Sequence, residues 1–413
     1  MARGEIWPLE VEGIAAGGAG LARQEGRAIF VEGTAPGDRI AARITEEHRG
    51  WARAEAVEIL APSPDRIEAP CPLYGSCGGC SLQHIRYEAQ VDAKAAMLKE
   101  AFTRLGGIVP PELRIFPSAP WEYRNRMQFH CIKQFHDRKQ FHNGTRFHRG
   151  QQPRRAASPG EAVAGLRARK NAGLVPLDDC PVADPGIRKA LKERALLPPP
   201  QKDRFTVYAR QELFLSEGGT ARGKTAILGR ELVLDAGVFF QSNAAMLEIL
   251  AEDLRALAGE AEARPMADLY CGVGVFAALL GDRFPRIDLM EENKNALALA
   301  RENVRGEGRE FFALRDDEWV RLKNRGRGGK TGGGYGFMVA DPPRQGLSPA
   351  LARWIAAEGP PLFAYVSCDP ATLARDSREL LAGGYVLSEL RFYDFYPQTA
   401  HIESLAVFKN NRK

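Results

Sequence analysis

The sequence predicts an α/β protein. A doubly wound parallel sheet occupies its C-terminal part, a small β-barrel stands in front, and a mixed α+β region lies between. Three observations carry this expectation. Beyond about residue 236, apolar strand-like runs alternate with helical stretches, the pattern of parallel strands flanked by helices. Within that alternation the glycine turn Cys271-Gly272-Val273-Gly274 joins a strand end to a helix, as at the ligand-binding edge of such sheets. The first sixty residues instead hold short alternating segments parted by glycine turns, which reads as a closed barrel. At 413 residues the chain exceeds one ordinary core, and the expected division is 1–60, 61–235 and 236–413.

Composition narrows the class. With 44% hydrophobic and 26% charged residues the chain reads as globular. No apolar run approaches the ~18 residues of a membrane helix, and Met1–Pro8 lacks the apolar core of a secretion signal. A cytoplasmic monomer with its seven cysteines reduced is expected. Net charge is +5, but it is unevenly spread: between Trp121 and Gly160 nine Lys or Arg face two acids, Glu122 and Asp137. A local positive surface of this kind suits a polyanion such as RNA.

In chain order, the barrel strands are expected around Leu9–Glu12, Arg27–Val31, Arg39–Ile44 and Ala54–Ile59, closed by Ala61-Pro62-Ser63-Pro64. Cys71, Cys77 and Cys80 follow in C-x5-C-x2-C spacing, with Cys180 as a fourth ligand. Four thiolates suit tetrahedral zinc or an iron–sulfur cluster, and the Cys-Pro pairs at 71–72 and 180–181 favour the cluster. A helix is expected from about Arg86 to Leu105, stopped by Gly106-Gly107. Phe-His pairs then recur at 129, 135, 141 and 147. A spacing of six puts all four Phe on one face of an extended chain and all four His on the other. Strand-rich sequence continues to about Asp235.

The catalytic candidates sit at strand ends of the last part. Ala267-Asp268-Leu269-Tyr270-Cys271-Gly272-Val273-Gly274 places glycines where a nucleotide-like ligand approaches backbone. Arg286–Glu291 ends a second strand in Glu291, placed for two ribose hydroxyls. Together they indicate an adenosine cofactor, nicotinamide or S-adenosylmethionine; Ala277 in place of a third glycine weakens nicotinamide. Asp341-Pro342-Pro343 fixes a carboxylate before a rigid turn. Cys368 follows the run Leu362–Val366 and precedes a helix, so helix dipoles are expected to favour its thiolate. Glu403, between two strand-like runs, is expected to be partly buried, with a raised pKa fit for a general base. Gly329-Lys330-Thr331 mimics a phosphate loop, but Asn324 occupies the position that motif reserves for glycine, and the stretch reads as a flexible insertion.

Taken together these residues resemble the S-adenosylmethionine-dependent RNA 5-methyluridine methyltransferases over nearly the whole chain. The front resembles a TRAM domain and the cysteine set that family's 4Fe-4S site. Phe239-x-Gln241-x-Asn243, Asp268-Leu-Tyr-Cys-Gly272, Asp341-Pro-Pro-Arg344, the run from Ser367-Cys368 to Arg375-Asp376, and His401-x-Glu403-Ser404 follow in the family's order. The resemblance implies a Rossmann-like class I methyltransferase domain that methylates uracil C5 in RNA, 23S rRNA rather than tRNA. It implies Cys368 as nucleophile and Glu403 as base. Gln241, Tyr270, Gly272, Gly274, Glu291 and Asp341 would then lie at the methyl donor, and Cys71, Cys77, Cys80 and Cys180 on the cluster. Asp369 stands where the family usually has Asn, and Gln398 where His is usual; the first would raise the pKa of Cys368. Two other readings are a base N-methyltransferase, disfavoured by Asp341 and Cys368, and a non-catalytic RNA-binding protein.

Overall fold

The computed structural model describes residues 3–133, 162–169, 173–196, 198–199, 202–259, 261, 264–325 and 334–410. Most of the Phe-His repeat and the glycine-rich insertion lie outside them. Phe129 of the first pair is buried and its neighbour His130 is not.

Five strands close the N-terminal barrel: β1 Ile6–Ile14, β2 Gly20–Gln24, β3 Arg27–Val31, β4 Arg39–Glu47 and β5 Trp51–Ala61, in the order β1-β2-β3-β5-β4. Alternate residues such as Val11, Ile29, Val31, Ile40, Ala42 and Ile44 fill its core. Strand β2 was not among the expected segments because its inward positions are small. A Cβ at Gly20 would come within 2.0 Å of the Thr34 hydroxyl, so this strand carries little apolar alternation to read. Asp38 locks the barrel to the chain that leaves it, accepting from the amides of Ala35 and Ser63 and pairing with Arg66.

The expected helix appears as α1, Tyr87–Glu100, continued by a π-helical turn over Ala101–Gly106 that Gly107 ends at φ +61°. Next comes β6, Leu113–Phe116. A second sheet follows, with β7 Arg126–Lys133, β8 Ala162–Arg167, β9 Leu174–Pro176, helix α2 Pro185–Lys192, β10 Arg204–Arg210 and β11 Leu213–Ser216, in the order β11-β10-β7-β8-β9. A hairpin of β12, Arg222–Ile227, and β13, Arg230–Asp235, leads into α3, Ala244–Ala258.

The C-terminal part alternates as expected: β14 Met266–Leu269, α4 Val275–Leu280, β15 Ile287–Met290, α5 Lys294–Asn303, β16 Arg309–Phe312, α6 Asp316–Arg325, β17 Phe337–Ala340, α7 Pro349–Glu358, β18 Leu362–Ser367, α8 Pro370–Ala382, β19 Val386–Tyr393 and β20 Glu403–Lys409. The sheet order is β16-β15-β14-β17-β18-β20-β19-β6. Strands β14 to β18 are mutually parallel, and β20 inserts antiparallel to β18. Helices α3, α4 and α5 cover one face; α6, α7, α8 and α1 cover the other. Strand β6, from the stretch between barrel and catalytic sequence, forms the far edge beside β19. Strand order reverses between β14 and β17, and ligands of doubly wound sheets bind at the carboxyl ends of the strands at such a point.

Candidate active site

At that switch point a cavity of about 940 Å³ opens, a size that takes a nucleoside-like ligand with room beside it. Its floor is the turn after β14. Tyr270 adopts φ +59° and Gly272 φ +54°, left-handed conformations that only glycine takes without strain. Tyr270 is held there by its hydroxyl, which donates to Asp316 at 2.6 Å. No atom lies within 4 Å of a Cβ built on Gly272, so that glycine leaves open space above the turn. Glu291, at the end of β15, accepts from the Gly272 amide at 3.0 Å and from the Asn293 amide at 2.7 Å. Both its oxygens are thereby oriented. Gly274 behaves differently. It is the left-handed residue before α4, where a Cβ would come within 2.9 Å of Val304 and 3.1 Å of Ala300. The close approach of α5 requires glycine there, and Gly274 is not among the residues that line the cavity. Asp268, just below, is buried. Burial lifts its carboxyl to about 8, while the Ala277 amide donates to it at 2.9 Å.

The other half of the cavity collects Gln241, Asp341, Cys368 and Glu403. Pairing between β18 and β20 makes the meeting of the last two inevitable. Ser367 stands opposite Ser404, and the Ser404 hydroxyl donates to the Ser367 carbonyl at 3.1 Å. That register leaves Cys368 just past the end of β18 beside the start of β20, where the Glu403 charge acts on its thiol. Glu403 is 3% exposed, one of its oxygens has no hydrogen-bond partner, and burial with nearby Asp341 pushes its pKa well up. Asp341, raised to about 7 by burial, accepts from the Gln241 amide nitrogen at 3.2 Å.

The expectation for the Cys368 thiol is reversed. Its pKa is pushed up to about 12, by burial first and then by the charges of Glu403 and Asp341, with Arg344 opposing and Asp369 adding a smaller rise. The α8 dipole does not rescue the thiolate because Asp369 takes the helix end for itself. It is the N-cap, accepting from the amides of Ala371 at 3.0 Å and Thr372 at 2.9 Å.

Several cavity residues were assigned no role in the site from the sequence. Arg344 donates to His401 Nδ1 at 3.2 Å, and burial with neighbouring cations holds that imidazole's pKa down at about 4. Tyr396 meets His401 edge-on, with ring centroids 5.7 Å apart. Phe239 is 57% exposed at the cavity, and the Arg126 guanidinium lies 5.5 Å from its ring centre. Arg126 and Arg124 both line the cavity. The basic window therefore contributes to the pocket wall as well as to any outer surface; Arg138, Lys139, Arg146, Arg149, Arg154 and Arg155 lie outside the described residues.

Cys71, Cys77, Cys80 and Cys180 line a second, small cavity, and Arg124 lines both. Burial pushes each thiol up, to about 11 for Cys80 and about 12 for Cys180, with neighbouring sulfurs adding to the rise at Cys77, Cys80 and Cys180 and Asp179 to that at Cys71. The Arg124 charge opposes the rise at Cys77, Cys80 and Cys180, and its Nε is buried without a partner. Among the described residues, no group of three or more His, Cys, Asp or Glu is arranged to hold a metal ion. The donor set nevertheless fits an anionic thiolate-bound centre: four soft ligands and one buried cation. No helix among the described residues is long and apolar enough to cross a membrane.

Comparison with known proteins gives a consistent set of likenesses. Residues 223–411 match the tRNA (uracil-5-)-methyltransferase family and residues 2–57 the TRAM domain. The chain is 30% identical to the 23S rRNA (uracil(1939)-C(5))-methyltransferase RlmD of Alkalilimnicola ehrlichii, over 98% of this chain and 97% of that one. It is also 30% identical to the protein of the same name from Edwardsiella ictaluri, over 95% and 93%. In fold it resembles the Pyrococcus abyssi tRNA (uracil-54, C5)-methyltransferase solved with S-adenosyl-L-homocysteine. The TM-score is 0.67 at 22% identity, covering 97% of this chain and all of that one.

Proposed function

The chain belongs to the RNA uracil-C5 methyltransferases, and from that premise we propose that it modifies 23S rRNA through a covalent cysteine adduct. It transfers a methyl group from S-adenosylmethionine to C5 of a uridine in RNA. The relatives at 30% identity act by name on 23S rRNA, and this supports the ribosomal substrate over tRNA.

Gln241, Tyr270, Gly272, Glu291 and Asp341 would hold the donor, Glu291 at its ribose. Bound there, the donor supplies an electrophilic methyl. Uracil C5 is too weak a nucleophile to take it unaided, so activation falls to the chain. Cys368, partly exposed, attacks C6 as the thiolate, its proton passing to solvent. The new C–S bond drives electron density onto C5 as an enolate. After C5 is methylated, Glu403 removes the C5 proton, the C5–C6 double bond reforms and the C6–S bond breaks, returning Cys368. The observation that carries this reading is the β18–β20 register, which sets a thiol against a buried carboxylate with an unpartnered oxygen. The base must leave its stack to reach them, and exposed Phe239 with Arg126 offers it a face on which to lie.

We further propose that Cys71, Cys77, Cys80 and Cys180 bind a 4Fe-4S cluster, with Arg124 offsetting its negative charge; their shared cavity supports it. The deciding experiment offers methyl-labelled S-adenosylmethionine with unmodified 23S rRNA and tRNA transcripts, followed by nucleoside analysis. Label in 5-methyluridine of 23S rRNA alone is expected. Label confined to tRNA would overturn the substrate assignment.

A further inference from the structure

The loop from Asp394 to His401, between β19 and β20, has two faces. Tyr396, His401 and, where the loop ends, Glu403 look into the catalytic cavity. The other face is held by parts of the chain that make no contribution to the chemistry. Gln398 is the centre of that grip. It is 2% exposed and sits at φ +65°, a conformation a glutamine adopts only where surrounding contacts impose it.

Those contacts come from two directions. The carbonyl of Gln398 accepts from the amides of Ser81 at 2.9 Å and Leu82 at 3.0 Å, the residues that directly follow Cys80. Ser81 returns a contact, its hydroxyl accepting from the Ala400 amide at 3.1 Å. From α1, Gln90 forms a reciprocal pair with Gln398. Its side-chain nitrogen donates to the Gln398 side-chain oxygen at 3.0 Å, and its oxygen accepts the Gln398 amide at 3.0 Å. One turn along α1, Lys94 donates to the Tyr396 carbonyl at 2.9 Å, and Tyr123 donates to the Pro397 carbonyl at 2.9 Å.

We propose that Gln398 is a positioning residue for the reaction, the point at which the cysteine loop and α1 together fix the loop that delivers Tyr396, His401 and Glu403 to the cavity. Buried hydrogen bonds to a single residue from two separate elements specify one backbone path and penalise any other. A loop that leads straight into the catalytic carboxylate transmits any error in that path to the base, and small misplacements of a reacting group cost rate steeply. The cysteine loop thereby acts on catalysis without touching substrate. Cys80 is one bond from the amide that holds Gln398, so a disordered cysteine site releases the same loop. The inference rests on Glu403 as the base that completes the reaction.

The test compares Gln398→Ala, Gln90→Leu and Ser81→Ala with wild type, and Ser81→Thr as the variant that keeps the hydroxyl acceptor for Ala400. Steady-state methyl transfer, donor binding and adduct formation with 5-fluorouridine RNA are measured on the full chain. Adduct formation there needs Cys368 but cannot proceed through proton removal at C5. We expect kcat to fall on the order of tenfold to a hundredfold while KM for RNA, donor affinity and the adduct rate stay within about twofold. Ser81→Thr should restore kcat. Unchanged kcat in all three variants would overturn the proposal. So would equal losses in kcat, donor binding and adduct formation, which would mark a purely structural role. Should wild-type protein form no adduct, the covalent reading of the reaction fails, and the split between kcat and KM still decides the role of Gln398.

Discussion

A thiol whose pKa lies near 12 cannot be a standing nucleophile, and this leads to a specific prediction about how Cys368 becomes reactive. At pH 7.5 a thiol at pKa 12 is ionised to roughly three parts in 10⁵, against about one part in ten at the ordinary 8.5. Nucleophilicity per thiolate rises with basicity, with a Brønsted slope near 0.45, and recovers a factor of about 40. The net expectation is that Cys368 of the empty protein alkylates on the order of a hundredfold more slowly than a free cysteine. Its rate should climb with pH without a plateau to beyond pH 10, because only the deprotonated form reacts. The groups responsible after burial are Glu403 and Asp341, so a positive charge placed beside them should reverse the trend. A sulfonium about 5 Å away, at an effective dielectric of about 20, contributes roughly 3 kcal/mol, more than two pKa units. The assay is iodoacetamide labelling followed at the Cys368 peptide by mass spectrometry, with no ligand, with S-adenosylmethionine, and with S-adenosylhomocysteine, whose sulfur is neutral. S-adenosylmethionine should accelerate labelling relative to S-adenosylhomocysteine. Labelling of the empty protein at the rate of a free thiol at pH 7.5, or identical rates with the two ligands, would refute the electrostatic argument.

Glu403→Gln should leave Cys368 able to form an adduct with RNA but stall its release, giving a covalent complex stable on a denaturing gel; Cys368→Ala should give none. Protein purified without oxygen should contain iron, and Cys180→Ser should lose it while Cys131→Ser, on β7 and outside that cavity, keeps it, as measured by metal analysis and visible absorption. Lys94 and Asp394 form a fully buried ion pair at 2.7 Å. Lys94→Met strands the carboxylate, leaving it the Tyr87 hydroxyl as donor, and should cost about 3–5 kcal/mol in denaturant unfolding. Much of that loss should return in Lys94→Met with Asp394→Leu, where neither charge remains.

The contrast between Cys368 and Gly274 explains which parts of the site could be read along the chain. Cys368 and Glu403 announce themselves through their neighbours in sequence, because a strand end and a following helix are local features. The barrel and the switch-point sheet were legible for the same reason: period-two alternation and helix–strand alternation are written in short windows. The state of the thiol was not. Its dominant partners, Glu403 and Asp341, arrive from β20 and from the end of β17, and nothing near position 368 encodes them. The one local term that could be read, the α8 dipole, is opposed by a local detail, the Asp369 carboxylate that caps the helix. Gly274 was legible as a turn residue but not as a packing residue, since its constraint is the approach of Ala300 on α5 and of Val304 just beyond that helix.

Arg124 shows the same limit from the other side. In sequence it is one basic residue in a window of nine, and a charge count assigns it to an outer, RNA-facing surface. In the fold its backbone is pinned beside Cys180, donating to the Val182 carbonyl at 2.9 Å and accepting the Asp184 amide at 3.0 Å. Its guanidinium is thereby carried into the wall between two cavities. One cation in that wall acts on both sides at once. It opposes the rise in the thiols of Cys77, Cys80 and Cys180, and across the partition it adds, after burial and Arg344, to the lowering of the His401 pKa. Together with the Ser81–Gln398 contact this makes the cysteine site and the methylation site neighbours that share a wall, a charge and a loop. A distance along the chain that separates Cys80 from Glu403 by most of the protein is bridged, in the folded molecule, by the Ser81–Gln398 contact and the short run from Gln398 to Glu403.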